Sequence, residues 1–120
     1  MKEPSTLSAA ERMAELLATL TPEKIAADKI KFAAKRLEDA VQSHIEATAK
    51  ANDYDSEASL ASYVASAHSE WAQDAAVFVQ WRDTVWTAAQ VGIDQVKSGQ
   101  AEVADIDAFI ASLPKIVWRP

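Results

Sequence analysis

The chain has 120 residues, of which 49% are hydrophobic, and its 12 basic and 18 acidic side chains give a net charge of −6. A chain of this size forms one small domain, and the absence of cysteine excludes a disulfide framework and thiolate metal sites. The acidic balance argues against nucleic-acid binding as the main activity, and no apolar stretch is long enough for a membrane span.

The counts of alanine and glycine decide the fold class. Alanine supplies 25 residues and glycine only 2, and alanine has the highest helix propensity of all residues. The four prolines, at positions 4, 22, 114 and 120, stand where helices would begin or end. We therefore predict an all-α protein.

The first two helices have clear start signals. Ser8 and Glu11 form a capping-box pattern for a short helix that carries its apolar residues up to Leu20. Thr21 caps the next helix, with Pro22 at its first position. This second helix is predicted to run to about Ala51, roughly 40 Å at 1.5 Å per residue.

The long second helix carries a narrow apolar stripe whose members are separated alternately by four and three residues. The stripe is composed of Ile30, Ala34, Leu37, Val41, then His44 or Ile45, then Thr48. This spacing is typical of a coiled coil or of a close helix pair, and an ordinary amphipathic helix packed on its own domain explains it equally well. A lone helix with this stripe would bury little, so both interpretations require a partner helix.

Further helices are predicted after a turn at residues 52–56. A short helix from about Ser56 to Ala67 should place Leu60, Tyr63, Val64 and Ala67 on one side. Ser69 should cap a second long helix that ends near Ser98, with Gly99 as a left-handed stop. Asp105 should cap a short last helix, stopped by Pro114 and followed by an extended tail with Ile116, Val117 and Trp118.

Charge divides the chain into two parts within one structural domain. Residues 1–50 carry 8 basic and 8 acidic side chains, whereas residues 51–120 carry 4 basic and 10 acidic ones. We therefore distinguish N-terminal helices (1–51), which include an association helix, from a compact helical module (52–120). The two parts are expected to face different surroundings.

The second long helix is predicted to be central, because a helical wheel leaves it only one polar stripe, composed of Gln80, Asp83, Thr84, Thr87 and Gln90. Phe78, Trp81 and Trp86 supply its bulk. The wheel places Arg82 in the middle of the apolar face, where a guanidinium needs a partner. It could pair with an acidic residue of the 53–57 turn or with Glu38, lie against Trp81 or Trp86, or receive a carboxylate from another subunit.

Catalytic and cofactor-binding patterns are absent from the sequence. His44 and His68 are the only imidazoles, and neither has metal-ligand spacing. The chain lacks a G-x-S-x-G motif and a glycine-rich phosphate loop. We expect a non-enzyme without a cofactor or metal.

Three segments carry a resemblance to a known family. They are VQSHIEATAKANDYDSEASLASYVAS at 41–66, AAVFVQWRDTVW at 75–86 and FIASLPKIVWRP at 109–120. Together they resemble a small module encoded in tailed-phage and prophage genomes, often in or near the tail and tail-fibre genes. The similarity lies in the Tyr-Asp-Ser turn, the Trp-Arg-Asp-x-x-Trp helix and the Leu-Pro ending with a terminal Trp-Pro, although Arg119 here separates Trp118 from Pro120.

The resemblance implies a role in phage tail structure or tail-fibre assembly, in the virion or the host cytoplasm. Our first hypothesis is a structural tail or tail-fibre component that forms a homo-oligomer, for example a trimer, or binds other tail proteins through residues 25–48. The alternatives are a tail-fibre assembly chaperone and an acidic inhibitor or regulator of a host protein. Within this hypothesis, the candidate interaction residues are the stripe residues Ile30, Ala34, Leu37, Val41, His44 and Thr48, together with Arg82 and Trp118.

Overall fold

The computed structural model describes residues 8–102 and 105–118. Within them the chain forms helices and connecting turns, without strands. The helices are α1 (Ala9–Ala18), α2 (Pro22–Ala51), α3 (Glu57–Ala61), α4 (Ser69–Lys97) and α5 (Ile106–Ala111), and a 3₁₀ turn (Ser62–Ala65) follows α3. The all-α prediction is confirmed, with the two long helices and the short C-terminal helix where the sequence places them. Pro4, Pro120 and Arg119 lie outside the described residues.

The predicted helix ends are confirmed wherever a local side chain makes the cap. The Ser8 hydroxyl accepts from the backbone N–H of Glu11, whose carboxylate accepts in return, and the Thr21 hydroxyl accepts from the N–H of Lys24. Asp105 caps α5 in the same way. Gly99 has φ of +76°, the left-handed conformation that stops α4.

Two predicted boundaries are wrong. Ser69 is the first residue of α4, and the cap residue is His68, which makes no side-chain capping bond. The predicted short helix continues only to Ala61 before it tightens into the 3₁₀ turn. Val64 and Ala67 are consequently exposed, while Leu60 is buried.

The core lies between α2 and α4, which pack as an antiparallel pair. Asn52, at the end of α2, contacts Asp74 near the start of α4, and Glu38 contacts Lys97 at the end of α4. Apolar side chains from both helices are fully buried there, with Leu60 from α3. The largest of these side chains are Phe78, Leu37, Ile45, Leu60, Ile93, Val41 and Val85.

The C-terminal segment closes this core. A Cβ on Gly92 would lie 2.5 Å from the Phe109 ring, so the glycine provides the space in which α5 docks on α4. Leu113 is buried, and the Trp81 indole N–H donates to the Pro114 carbonyl at 2.9 Å. The predicted extended tail therefore follows the helix pair and packs against it.

Residues 8–32, which we call the arm, lie outside this core. Helix α1 has no buried residue, and α2 has none before Ala34. The radius of gyration is 21.8 Å, whereas a compact chain of this length would have about 14 Å. The molecule is therefore elongated, with a packed module at one end. No helix in the described part of the chain is long and apolar enough to cross a membrane.

Leucine truncation tests this division. Leu37 is fully buried and Leu17 is 60% exposed, so Leu37→Ala should lower the free energy of unfolding by about 2–5 kcal/mol and Leu17→Ala by less than about 0.5 kcal/mol. Urea denaturation of dilute protein measures both values. Equal losses would show that the arm is part of the packed structure.

Candidate interaction surface

The predicted stripe of α2 is used partly inside the molecule. Ala34, Leu37 and Val41 are buried in the core against α4. Beyond Val41 the buried positions are Ile45 and Ala49. For this part of the helix, packing on its own domain explains the stripe.

His44 and Thr48 are therefore outside the buried stripe. The His44 ring contacts Trp81 edge-on, with centroids 5.7 Å apart, and the Thr48 hydroxyl donates to the His44 carbonyl at 2.8 Å. Both residues are half-buried at the margin of the helix pair. A straight helix drifts by about 20° per heptad from a strict 3.5-residue repeat. The buried positions of α2 therefore move from His44 and Thr48 to the residues that follow them, Ile45 and Ala49.

Ile30 is the predicted residue that marks the edge of the core. It is half-buried, and a groove of about 620 Å³ opens beside it where α4 ends. Its lining residues are Ala27, Ile30, Lys31, Ala34, Lys35, Glu38 and Lys97. The apolar line of α2 thus extends beyond the end of its covering helix.

The arm presents large apolar side chains to solvent. Those on α1 are spaced for one face of a helix, and all members are 47–66% exposed: Met13, Leu16, Leu17, Leu20, Ile25 and Phe32. Helix α1 has no packing contact with another helix. Isolated helices shorter than about 12 residues are marginal in water, so α1 is a candidate for contact with another molecule.

Arg82 is half-buried beside Phe78, Val85 and Ala89, which are buried. Its side chain is 27% exposed, with Nη1 at 3.9 Å from Glu57 Oε1 and Nε at 3.4 Å from Asp83 Oδ1. The pairing with the 53–57 turn is therefore the alternative that the structure supports. The guanidinium extends from the core margin to a carboxylate that is itself only 17% exposed.

Glu57 connects three helices, a role that the sequence did not reveal. Gln42 of α2 donates to its carboxylate, and its backbone N–H donates to Glu46 Oε2 at 3.3 Å. Because Glu57 begins α3 and also meets Arg82 of α4, its contacts fix the short helix against the long pair.

The C-terminal tail is packed against the core. Trp118 is half-buried against the core cluster, so the described part of the tail contributes to the module.

On α2, the hydrogen bond from Lys35 to Asp39 at 2.9 Å raises the pKa of Lys35. This exposed pair stays charged on the outer side of the helix.

A pocket lies at the opposite end of the module from the arm. It has a volume of about 350 Å³ and combines carboxylates with aromatic rings: Asn52, Asp53, Tyr54, Asp55, Ser59, Tyr63, Glu70, Trp71 and Asp74. The Tyr54 hydroxyl donates to Asp74 Oδ2 at 3.0 Å, and the Tyr63 and Trp71 rings lie 5.3 Å apart. We call this the acidic–aromatic pocket. Charge segregation is the sequence signal that could have found it, since residues 52–74 contain five acidic and no basic side chains.

The two histidines lie against aromatic rings. Neither imidazole is hydrogen-bonded to a hydroxyl or a carboxylate of the described residues: His44 meets Trp81, and His68 stacks on Trp71 at 4.1 Å. In residues 8–102 and 105–118 no group of three His, Asp or Glu side chains is arranged to hold a metal.

No protein-family model, curated protein or solved structure matches this chain. The geometry of the arm and of the module is therefore the basis for assigning a function.

The Arg82–Glu57 pair is tested by a double-mutant cycle. Arg82→Met should lower the free energy of unfolding by about 1 kcal/mol, which lies between the contribution of an exposed ion pair and that of a buried one. Glu57→Gln should lower the free energy of unfolding by a similar amount. The double variant should be little less stable than either single variant, because the ion pair is already broken in each of them. Urea unfolding of the four proteins gives the coupling energy. A coupling near zero would mean that packing on the neighbouring rings, and not the ion pair, holds Arg82.

Proposed function

We propose that the protein is a non-enzymatic structural component of a phage tail or tail fibre that self-associates through its helical arm. The observation that carries the proposal is the arm itself, which holds six large, exposed apolar side chains on residues 13–32. Met13, Leu16 and Leu17 share one face of α1, and contiguous apolar patches on soluble monomers commonly mark interaction sites.

The size of the apolar surface sets the strength of the association. Fully burying a Leu, Ile, Phe or Met side chain contributes about 1.5–3 kcal/mol. Because each arm residue is roughly half exposed, six of them offer on the order of 6 kcal/mol per copy. Association itself costs about 4–15 kcal/mol. We therefore expect a reversible, concentration-dependent oligomer and not a permanent one.

The division of the chain supports a tail component in particular. The resemblance to the phage module begins at about Val41, so the arm is an extension that precedes it. A shared module with an attached association helix suits a repeated part of an assembly, because each copy then carries both a folded module and an arm that can join it to another copy. No catalytic group is needed for this role.

Glutamate substitution on the arm tests self-association. Leu17 and Val91 are matched in exposure, at 60% and 59%, but Val91 lies on α4 outside the arm. Leu17→Glu should shift the protein to monomer, because a charge would be buried in the interface, whereas Val91→Glu should associate as the wild type does. Sedimentation velocity over a range of concentrations gives the masses, and circular dichroism should show both variants equally helical.

The alternative functions predict other outcomes of the same series. A wild type that is monomeric at every concentration, yet binds a neighbouring tail protein through the arm, would indicate an assembly chaperone. An acidic regulator that presents its carboxylates in place of DNA phosphates would compete with DNA for a host factor, and this competition would weaken as the salt concentration rises. The chain should also be detectable by mass spectrometry in purified particles, and its absence from them would contradict a structural role.

A further inference from the structure

Basic charge is concentrated on the outer side of the arm and the start of the module. Residues 24–36 carry five basic and one acidic side chain. Lys29, Lys31 and Arg36 are exposed and make no ion pair within the described part of the chain. This stretch is the most basic of the protein.

One face of this stretch combines the basic groups with apolar ones. At 100° per residue, Ile25, Lys29, Phe32 and Arg36 fall on the same side of α2. This side is turned away from the buried line of Ala34, Leu37 and Val41. Phe32 is 66% exposed, so the face offers an aromatic ring between two cations. We call it the basic face.

The acidic–aromatic pocket has the complementary character. Four carboxylates line it, and none of its lining residues is basic; Lys50 precedes it on α2 without lining it. Trp71 is 44% exposed beside the Tyr63 ring. Carboxylates attract Lys and Arg, the faces of Trp and Tyr bind cations, and their edges pack on Phe.

The pocket and the basic face of one chain cannot meet. Phe32 and Asn52 are 20 residues apart on a continuous helix, which separates them by about 30 Å. A contact between these surfaces must therefore join two molecules.

We propose that the protein assembles head to tail, with the basic face of one copy docked in the acidic–aromatic pocket of the next. The inference rests on the proposed self-association and specifies its partner surface as a second copy of this chain. Because the two surfaces differ, the contact is heterologous and repeats until it closes into a ring of three or more copies or continues as a filament. The Lys29 and Arg36 cations meet the pocket carboxylates, and Phe32 packs beside Trp71.

Charge reversal on each surface tests the inference. One variant, Lys29→Glu with Arg36→Glu, removes the basic face, and the other, Asp55→Lys with Glu70→Lys, removes the pocket charge. All four residues are exposed and outside the core, and circular dichroism melting confirms that each variant is folded. Trp71→Ala is an uncharged second change at the pocket.

Sedimentation velocity should give masses above a dimer for the wild type. Its association should weaken at least tenfold between about 0.1 M and about 1 M NaCl, as the Debye length falls from about 10 Å to about 3 Å. Each charge-reversed variant alone should associate at least tenfold more weakly. Their equimolar mixture should associate again, because the intact face of one variant fits the intact pocket of the other and the two reversed surfaces also carry opposite charges. Trp71→Ala should weaken association as well.

Different failures separate the two proposals. A pocket variant that associates as the wild type does, a wild type that stops at a dimer, or a mixture that stays monomeric would overturn the head-to-tail contact while self-association through the arm stands. A wild type that remains monomeric at all concentrations would overturn both.

Discussion

The structure depends on a mismatch in length between two antiparallel helices. Helix α4 ends at Lys97, where Gly99 adopts a left-handed conformation and the Lys97 ammonium lies 3.4 Å from Glu38 of α2. Helix α2 continues beyond this point for four turns and is joined to α1 by a short connection. The apolar stripe of α2 is thus covered from Ala34 onward and open before it, so the fold has one core at one end and an unpartnered helix at the other.

The sequence predicts those features that depend on neighbours along the chain. The caps at Ser8, Thr21 and Asp105 are hydrogen bonds between residues three apart, so the residue types alone reveal them. The stop at Gly99 is equally local. These signals fix the number and order of the helices, and the alanine content fixes their type.

Features that depend on contacts across the fold could not be predicted in detail. His44 and Ile45 are adjacent, and only the crossing of α2 with α4 decides that Ile45 is buried and His44 lies against Trp81. Arg82 and Glu57 are 25 residues apart, so the sequence offers several carboxylates for one guanidinium. On the wheel Arg82 lies between residues that the structure buries, Phe78, Val85 and Ala89, and only the fold shows that its side chain reaches Glu57. The exposed arm could not be predicted, since its apolar spacing resembles that of a buried helix.

The proposed function depends on the part of α2 that α4 leaves uncovered. A fully covered α2 would give a closed globule without an association surface, whereas a freely projecting arm gives each copy a connector. Residues 24–36 carry five basic and one acidic side chain, whereas the acidic–aromatic pocket lies at the opposite end of the module, so the two ends of the molecule differ in charge. In the proposed assembly, apolar area supplies the affinity and the separated charges determine which surface the arm meets.

Amide hydrogen exchange on dilute, monomeric protein tests the mismatch most directly. Amides in the core-facing turns of α2 and α4, residues 37–49 and 78–93, should exchange only through global unfolding, while those of residues 9–30 should exchange with little protection. The arm amides should gain protection when the protein concentration is raised into the range of association. Arm amides as strongly protected as the core in the monomer would contradict the open arm and the function proposed for it.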